Sequence, residues 1–60
     1  MIDYRAFTVG EDGHIDGGRN YKRATDQDAI VWARQWLENK PIEIWNGERF
    51  VKRLEPEVFA

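Results

Sequence analysis

Apolar residues recur at helical spacing in one stretch, Thr25 to Asn39, TDQDAIVWARQWLEN. At about 100° per residue, Ala29, Ile30, Trp32, Ala33, Trp36 and Leu37 fall within roughly 160° of arc. Arg34, Gln35 and Glu38 fall opposite, with Val31 among them. So broad an apolar stripe suits a helix lying on a sheet rather than a narrow coiled-coil seam. Thr25 is the expected N-cap, its hydroxyl accepting from a free backbone N–H near Asp28, and Asp26 and Asp28 place negative charge where the helix dipole favours it. At the other end Asn39 can close the helix in a left-handed conformation, and Pro41 forbids continuation. The pattern predicts a helix over about 25–39.

On either side the apolar spacing changes to that of strands. Met1 to Val9 carries Ile2, Tyr4, Phe7, Thr8 and Val9, and Gly10-Glu11-Asp12-Gly13-His14 is a hairpin signal. A loop of Glu11, Asp12 and left-handed Gly13 pairs Gly10 with His14, Val9 with Ile15 and Thr8 with Asp16. Phe7, Val9 and Ile15 then share one face, and Tyr4, Ala6, Thr8, His14 and Asp16 the other. The second strand runs from about His14 to Tyr21, with Gly17-Gly18 inside it as the mark of a bulge or a close approach.

After Pro41 a second hairpin is written as Ile42 to Trp45, Asn46-Gly47, then Glu48 to Leu54. Its register decides the faces. A tight two-residue turn pairs Ile44 with Arg49 and Ile42 with Val51. An odd-length loop pairs Ile42 and Ile44 with Phe50 and carries Leu54 on the same side. The second choice segregates apolar from charged residues better. It points Ile42, Ile44, Phe50 and Leu54 at the helix and Glu43, Trp45, Arg49, Val51 and Arg53 away. Pro56 ends the last strand, leaving 57–60 as a frayed tail.

The expected architecture is therefore α+β: a single domain over 1–60, β-β-α-β-β, with a four-stranded, mostly antiparallel sheet and one helix on one face. The strand order, and the face of the first hairpin that meets the helix, stay open at this level.

Composition sharpens this picture. A 60-residue chain buries only about 60% of the surface its unfolded form exposes, and with no Cys there is no disulfide or Cys/His zinc set to staple it. Packing of its eight aromatic residues, or self-association, must supply what is missing. Charged residues make up 33% with both signs interspersed and a net charge of −2, which argues against a general polyanion binder. No apolar run approaches a membrane span and no signal peptide precedes the first strand, so the expected location is cytoplasmic.

Three segments, YRAFTVGEDGHI, TDQDAIVWARQWL and IEIWNGERFVKRLEP, together resemble a group of small, uncharacterised single-domain proteins of alphaproteobacteria. That group has a Tyr-Arg-Ala strand, a Gly-x-Asp-Gly-His turn, an acidic helix start and a Leu-Trp-x-Gly-x-Arg hairpin. The resemblance implies one compact bacterial domain and carries no activity, cofactor or site.

The residue inventory leaves little room for catalysis. There is no Ser or Cys, and Thr25 is occupied as a cap. Asp12-x-His14-x-Asp16-Gly17 matches the opening of a calcium loop, but His suits the third place poorly and Arg23 stands where a bidentate Glu is needed. It reads as a turn instead. His14 and Asp16 alone are too few for a transition metal, and a lone His14 beside a turn is usually just solvated. The sequence therefore predicts no enzyme, no catalytic residue, no metal and no cofactor.

Trp45, Arg49 and Arg53, with Val51 between them, form the most suggestive cluster, and Trp32 at the edge of the helical arc could join a partner surface. An aromatic ring between guanidinium groups suits a protein interface, a stacked nucleobase or a cross-strand cation–π pair that only stabilises the sheet. The expected function is a protein–protein interaction module, self-associating as a homodimer or serving as an accessory or inhibitory subunit of a larger bacterial complex. The alternative is a nucleic-acid-binding Trp/Arg sheet face, against which the acidic balance counts.

Overall fold

The computed structural model describes residues 1–56, so the expected tail at 57–60 lies outside the described residues. Two hairpins flank one helix: β1 (Ile2–Val9), β2 (Ile15–Arg23), α1 (Asp26–Trp36), β3 (Ile42–Asn46) and β4 (Arg49–Leu54). The four strands lie in the order β2-β1-β3-β4, and every neighbouring pair is antiparallel. The strand nearest the amino end thus holds a central place. Helix α1 carries the chain across from β2 to β3.

The helix starts as its sequence dictates. Thr25 is the extended N-cap, and its Oγ1 accepts from the Asp28 N–H at 3.1 Å. It ends earlier than the Asn39 signal suggests. Leu37 is the C-cap with φ −71° and ψ 126°, and its N–H bonds to the Arg34 carbonyl at 3.2 Å. The Leu37 side chain packs on the core, which turns the chain off the helical path before Asn39 is reached. Among the described residues only Gly13 and Gly47 have positive φ, so Asn39 does not close the helix in the left-handed region.

Alternation along β1 settles which face of the first hairpin is covered. Tyr4 and Ala6 are buried and point to α1. The fully buried Ala29 and Ala33, one turn apart, let the helix backbone approach the sheet over Ile42, Ile44 and Leu54. Ile42 and Ile44 are the largest side chains with no exposure, each contributing about 1.5–3 kcal/mol by burial.

Both hairpins depart from the expected register by one residue. In the first, Gly13 has φ +86°, the Gly10 N–H donates to the His14 carbonyl at 2.7 Å, and Val9 faces Ile15 as expected. Thr8 then faces Gly17 rather than Asp16, because Asp16 is the extra residue of a bulge. In the second, the loop has two residues, Gly47 and Glu48, closed by Asn46 opposite Arg49. Positive φ falls on Gly47 alone, the combination of a II′ hairpin turn. A bulge at Val51 follows, so that Trp45 faces Phe50 and Ile44 faces Lys52.

Candidate interaction surface

Helix α1 covers one face of the sheet and the other face is open. The odd-numbered residues of β1 point to the open side: Asp3, Arg5, Phe7 and Val9. Register places Arg5 between Asn20 and Trp45, Phe7 between Gly18 and Glu43, and Trp45 beside Phe50. The Trp45 and Phe50 rings meet edge to face, centroids 5.3 Å apart at 74°. Phe50 is 49% exposed and Ile15, opposite Val9, is 63% exposed. Apolar side chains therefore stand on the open face in two neighbouring groups, Phe50 with Trp45 and Phe7 with Val9 and Ile15, with Arg5 and Glu43 between them.

Polar residues flank both groups and tie each other down. Glu43 accepts from Trp45 Nε1 at 3.2 Å and from Arg53 Nη1 at 2.7 Å. Arg53 also donates through Nε to Glu55 at 2.6 Å, and Arg5 donates to the Asn20 side-chain oxygen at 3.0 Å. Beyond the end of β3 a shallow hollow lies among Asp3, Arg5, Asn20, Lys22 and Gly47, and Asn46 donates across its margin to the Asp3 carbonyl at 2.7 Å.

The bulge at Val51 redistributes the residues expected on this face. Trp45 and Arg53 are there. Arg49 is not: its guanidinium turns to the helix side and donates from both Nη atoms to Asp26, at 3.1 and 3.0 Å. The pull is electrostatic, since Asp26 sits in the first helical turn and also accepts from the buried Tyr4 hydroxyl at 2.6 Å. Arg49 and then Tyr4 hold the Asp26 carboxyl below the usual carboxylate range. Burial, then the bond to Asp26, pushes the Tyr4 phenol up to about 12. Val51 also leaves the open face and packs against the core. Phe50, expected at the helix, takes the outward place, because one extra residue in β4 inverts every side chain before it.

Trp32 lies on the far side of the molecule from Trp45. Its ring is 4.2 Å from that of Tyr21 and 6.2 Å from that of Trp36, with the Arg23 guanidinium 5.5 Å above it. It belongs to the seam between α1 and β2. Sequence reasoning placed Phe7, Val9 and Ile15 on one face but left open whether that face meets the helix, and it put Phe50 on the helix side. The burial of Tyr4 and Ala6 decides that the first three are on the open side. The two-residue Asn46-Gly47 turn, weighed against the odd loop, already puts Phe50 on the Trp45 side, and the bulge is what keeps Leu54 facing the helix as well.

The remaining chemical candidates are dispersed. Asp12 accepts from its loop partner His14 through both the backbone N–H (3.1 Å) and the ring Nδ1 (2.7 Å), and these bonds hold its carboxyl low. Asp16 pairs with Lys40. Among the described residues no three His, Asp or Glu side chains gather in a way that could hold a metal, and no helix is long and apolar enough to cross a membrane. No protein-family model, curated protein or solved structure matches the chain.

Proposed function

We propose that this chain is a small, non-enzymatic bacterial protein–protein interaction module that pairs with a second copy of itself through the open sheet face. The observation that carries the reading is the outward Trp45–Phe50 pair, with Phe7 one diagonal step away, on the face α1 leaves uncovered. Trp and Phe are enriched at interface centres, and an aromatic cluster with a polar rim is the anatomy of such a patch. The rim carries both signs, Arg5 and Arg53 with Asp3 and Glu43, as a two-fold contact of one surface with itself requires. The small core and absent cysteines add a reason for association, and the lack of Cys suits a reducing cytoplasm.

A nucleic-acid reading of the same face has less support. It needs several free guanidinium groups beside Trp45, but only Arg5 there is without a carboxylate partner among the described residues, since Arg53 is held by Glu43 and Glu55 and Arg49 by Asp26.

Sedimentation over a wide concentration range tests the proposal. The expected result is a monomer–dimer equilibrium that Trp45→Ala shifts at least about tenfold toward monomer, as loss of a central aromatic anchor does. A wild-type chain that stays monomeric at millimolar concentration ends the homodimer reading and leaves an accessory role on another protein.

A further inference from the structure

The two outer strands of the sheet are not equally guarded. Strand β4 has the bulge at Val51, and Pro56 follows its end, both devices that keep a neighbour from adding. Its Arg49 and Arg53 are matched by Asp26, Glu43 and Glu55. Strand β2 has a bulge too, at Asp16, but it lies at the hairpin end, and the strand then runs unbroken from Gly17 to Arg23 with no proline.

The direction of its free backbone groups follows from register. The Val9 N–H donates to Pro41, so odd residues of β1 turn their hydrogen bonds toward β3 and even residues toward β2. Tyr4, Ala6 and Thr8 therefore bond Tyr21, Arg19 and Gly17. The backbone groups of Gly18, Asn20 and Lys22 point outward from the sheet. One of them, the Lys22 carbonyl, is taken by Arg23 Nη1 at 2.6 Å. Those of Gly18 and Asn20 have no partner among the described residues.

This edge also carries charge without counter-charge. The Arg19 guanidinium lies over Trp36 at 4.9 Å and that of Arg23 over Tyr21 and Trp32 at 5.5 Å each. Neither is within salt-bridge distance of a described carboxylate, and Lys22 has only Asp3, at 3.7 Å. The aromatic rings fix the two arginines in place while leaving their charge unanswered.

We propose that the free edge of β2, from Gly17 to Arg23, receives an extended acidic segment of another protein as a fifth strand. The backbone groups of Gly18 and Asn20 give the pairing, and Arg19, Lys22 and Arg23 select for carboxylates on the incoming strand. A second copy fits this edge poorly, because it would double the uncompensated positive charge along one seam. The site shares none of the apolar residues of the open-face contact and meets its rim only where Asn20 holds Arg5 and Lys22 approaches Asp3.

The test uses the full chain and a short capped peptide of alternating glutamate and valine, followed by amide chemical shifts. Saturable shifts confined to Gly17–Arg23 are expected, weakening steeply with salt. The same peptide with lysine in place of glutamate should not bind. Asn20→Pro removes an outward N–H at a place where an edge strand accepts proline, and should weaken binding at least about tenfold. Lys22→Glu, on an exposed side chain, gives a second reading if the proline variant folds poorly, and should also weaken it. No saturable shift at millimolar peptide, equal binding of the lysine peptide, or shifts centred on Phe7 and Trp45 would each overturn the proposal.

Discussion

The Tyr4 hydroxyl sits where burial and a hydrogen bond act in one direction. Both favour the neutral phenol, so the folded chain holds its proton up to about 12 against an ordinary value of 10.0. The unfolded chain loses that proton first. The associated stability is complete below about pH 10 and is lost as pH rises toward about 12. Denaturant unfolding between about pH 9 and 11.5 should show the wild type weakening and Tyr4→Phe weakening less. Tyr21 is also raised by burial, so some slope should remain in the variant. Equal slopes in both proteins would mean that Tyr4 is not the group responsible. The role of Asp26 in this cluster was only half legible in the sequence. Its place in the first helical turn is local and could be read. Its bonds to Tyr4 and Arg49 join residues remote along the chain, through a register that one bulge had shifted.

At the scale of elements, what was legible is what is decided within a few residues. The Thr25 cap reaches three residues ahead, and the structure has it. Thr25→Ala should cost about 1 kcal/mol in urea unfolding, with an unchanged denaturant slope. A loss near zero would show that tertiary packing alone sets the helix start. The helix end was not legible, because Leu37 leaves the helix to pack on a core that local sequence does not describe. In the first hairpin, Asp12-Gly13 gave the loop and the first two pairs, and the bulge at Asp16 changed the third. In the second, segregation of apolar from charged residues chose the wrong register. It could not foresee that Arg49 has a carboxylate waiting on the helix side, nor that Phe50 could be spared from the core. The four strands and single helix survived these errors because each hairpin closes on its own turn.

For the whole molecule, seven buried residues hold the described fold, and two of them, Ile42 and Ile44, are its largest fully buried side chains. Ile44→Ala should therefore cost about 2–5 kcal/mol, a large share of what a domain of this size commands. Circular dichroism on heating should show a melting point lowered by well over ten degrees, or a chain already unfolded at room temperature. A shift of only a few degrees would mean that the core lies elsewhere. The same smallness explains why a face carrying Trp45, Phe50 and Phe7 is left outside. One helix can cover one side of the sheet, and that side takes Tyr4, Ala6 and the two isoleucines.

The central position of β1 has a consequence for how the chain reaches this state. The strand synthesised first becomes the interior of the sheet. Its pairing with β2 closes across a short loop, but its other flank stays bare until Ile42 to Asn46 has been made. The contact between Arg5 and Trp45 then closes a loop spanning most of the chain, a slow step compared with either hairpin. During synthesis the nascent chain presents an unsatisfied strand flank carrying Phe7 and Val9, so the interval before β3 emerges is when it is most prone to pair with the wrong neighbour.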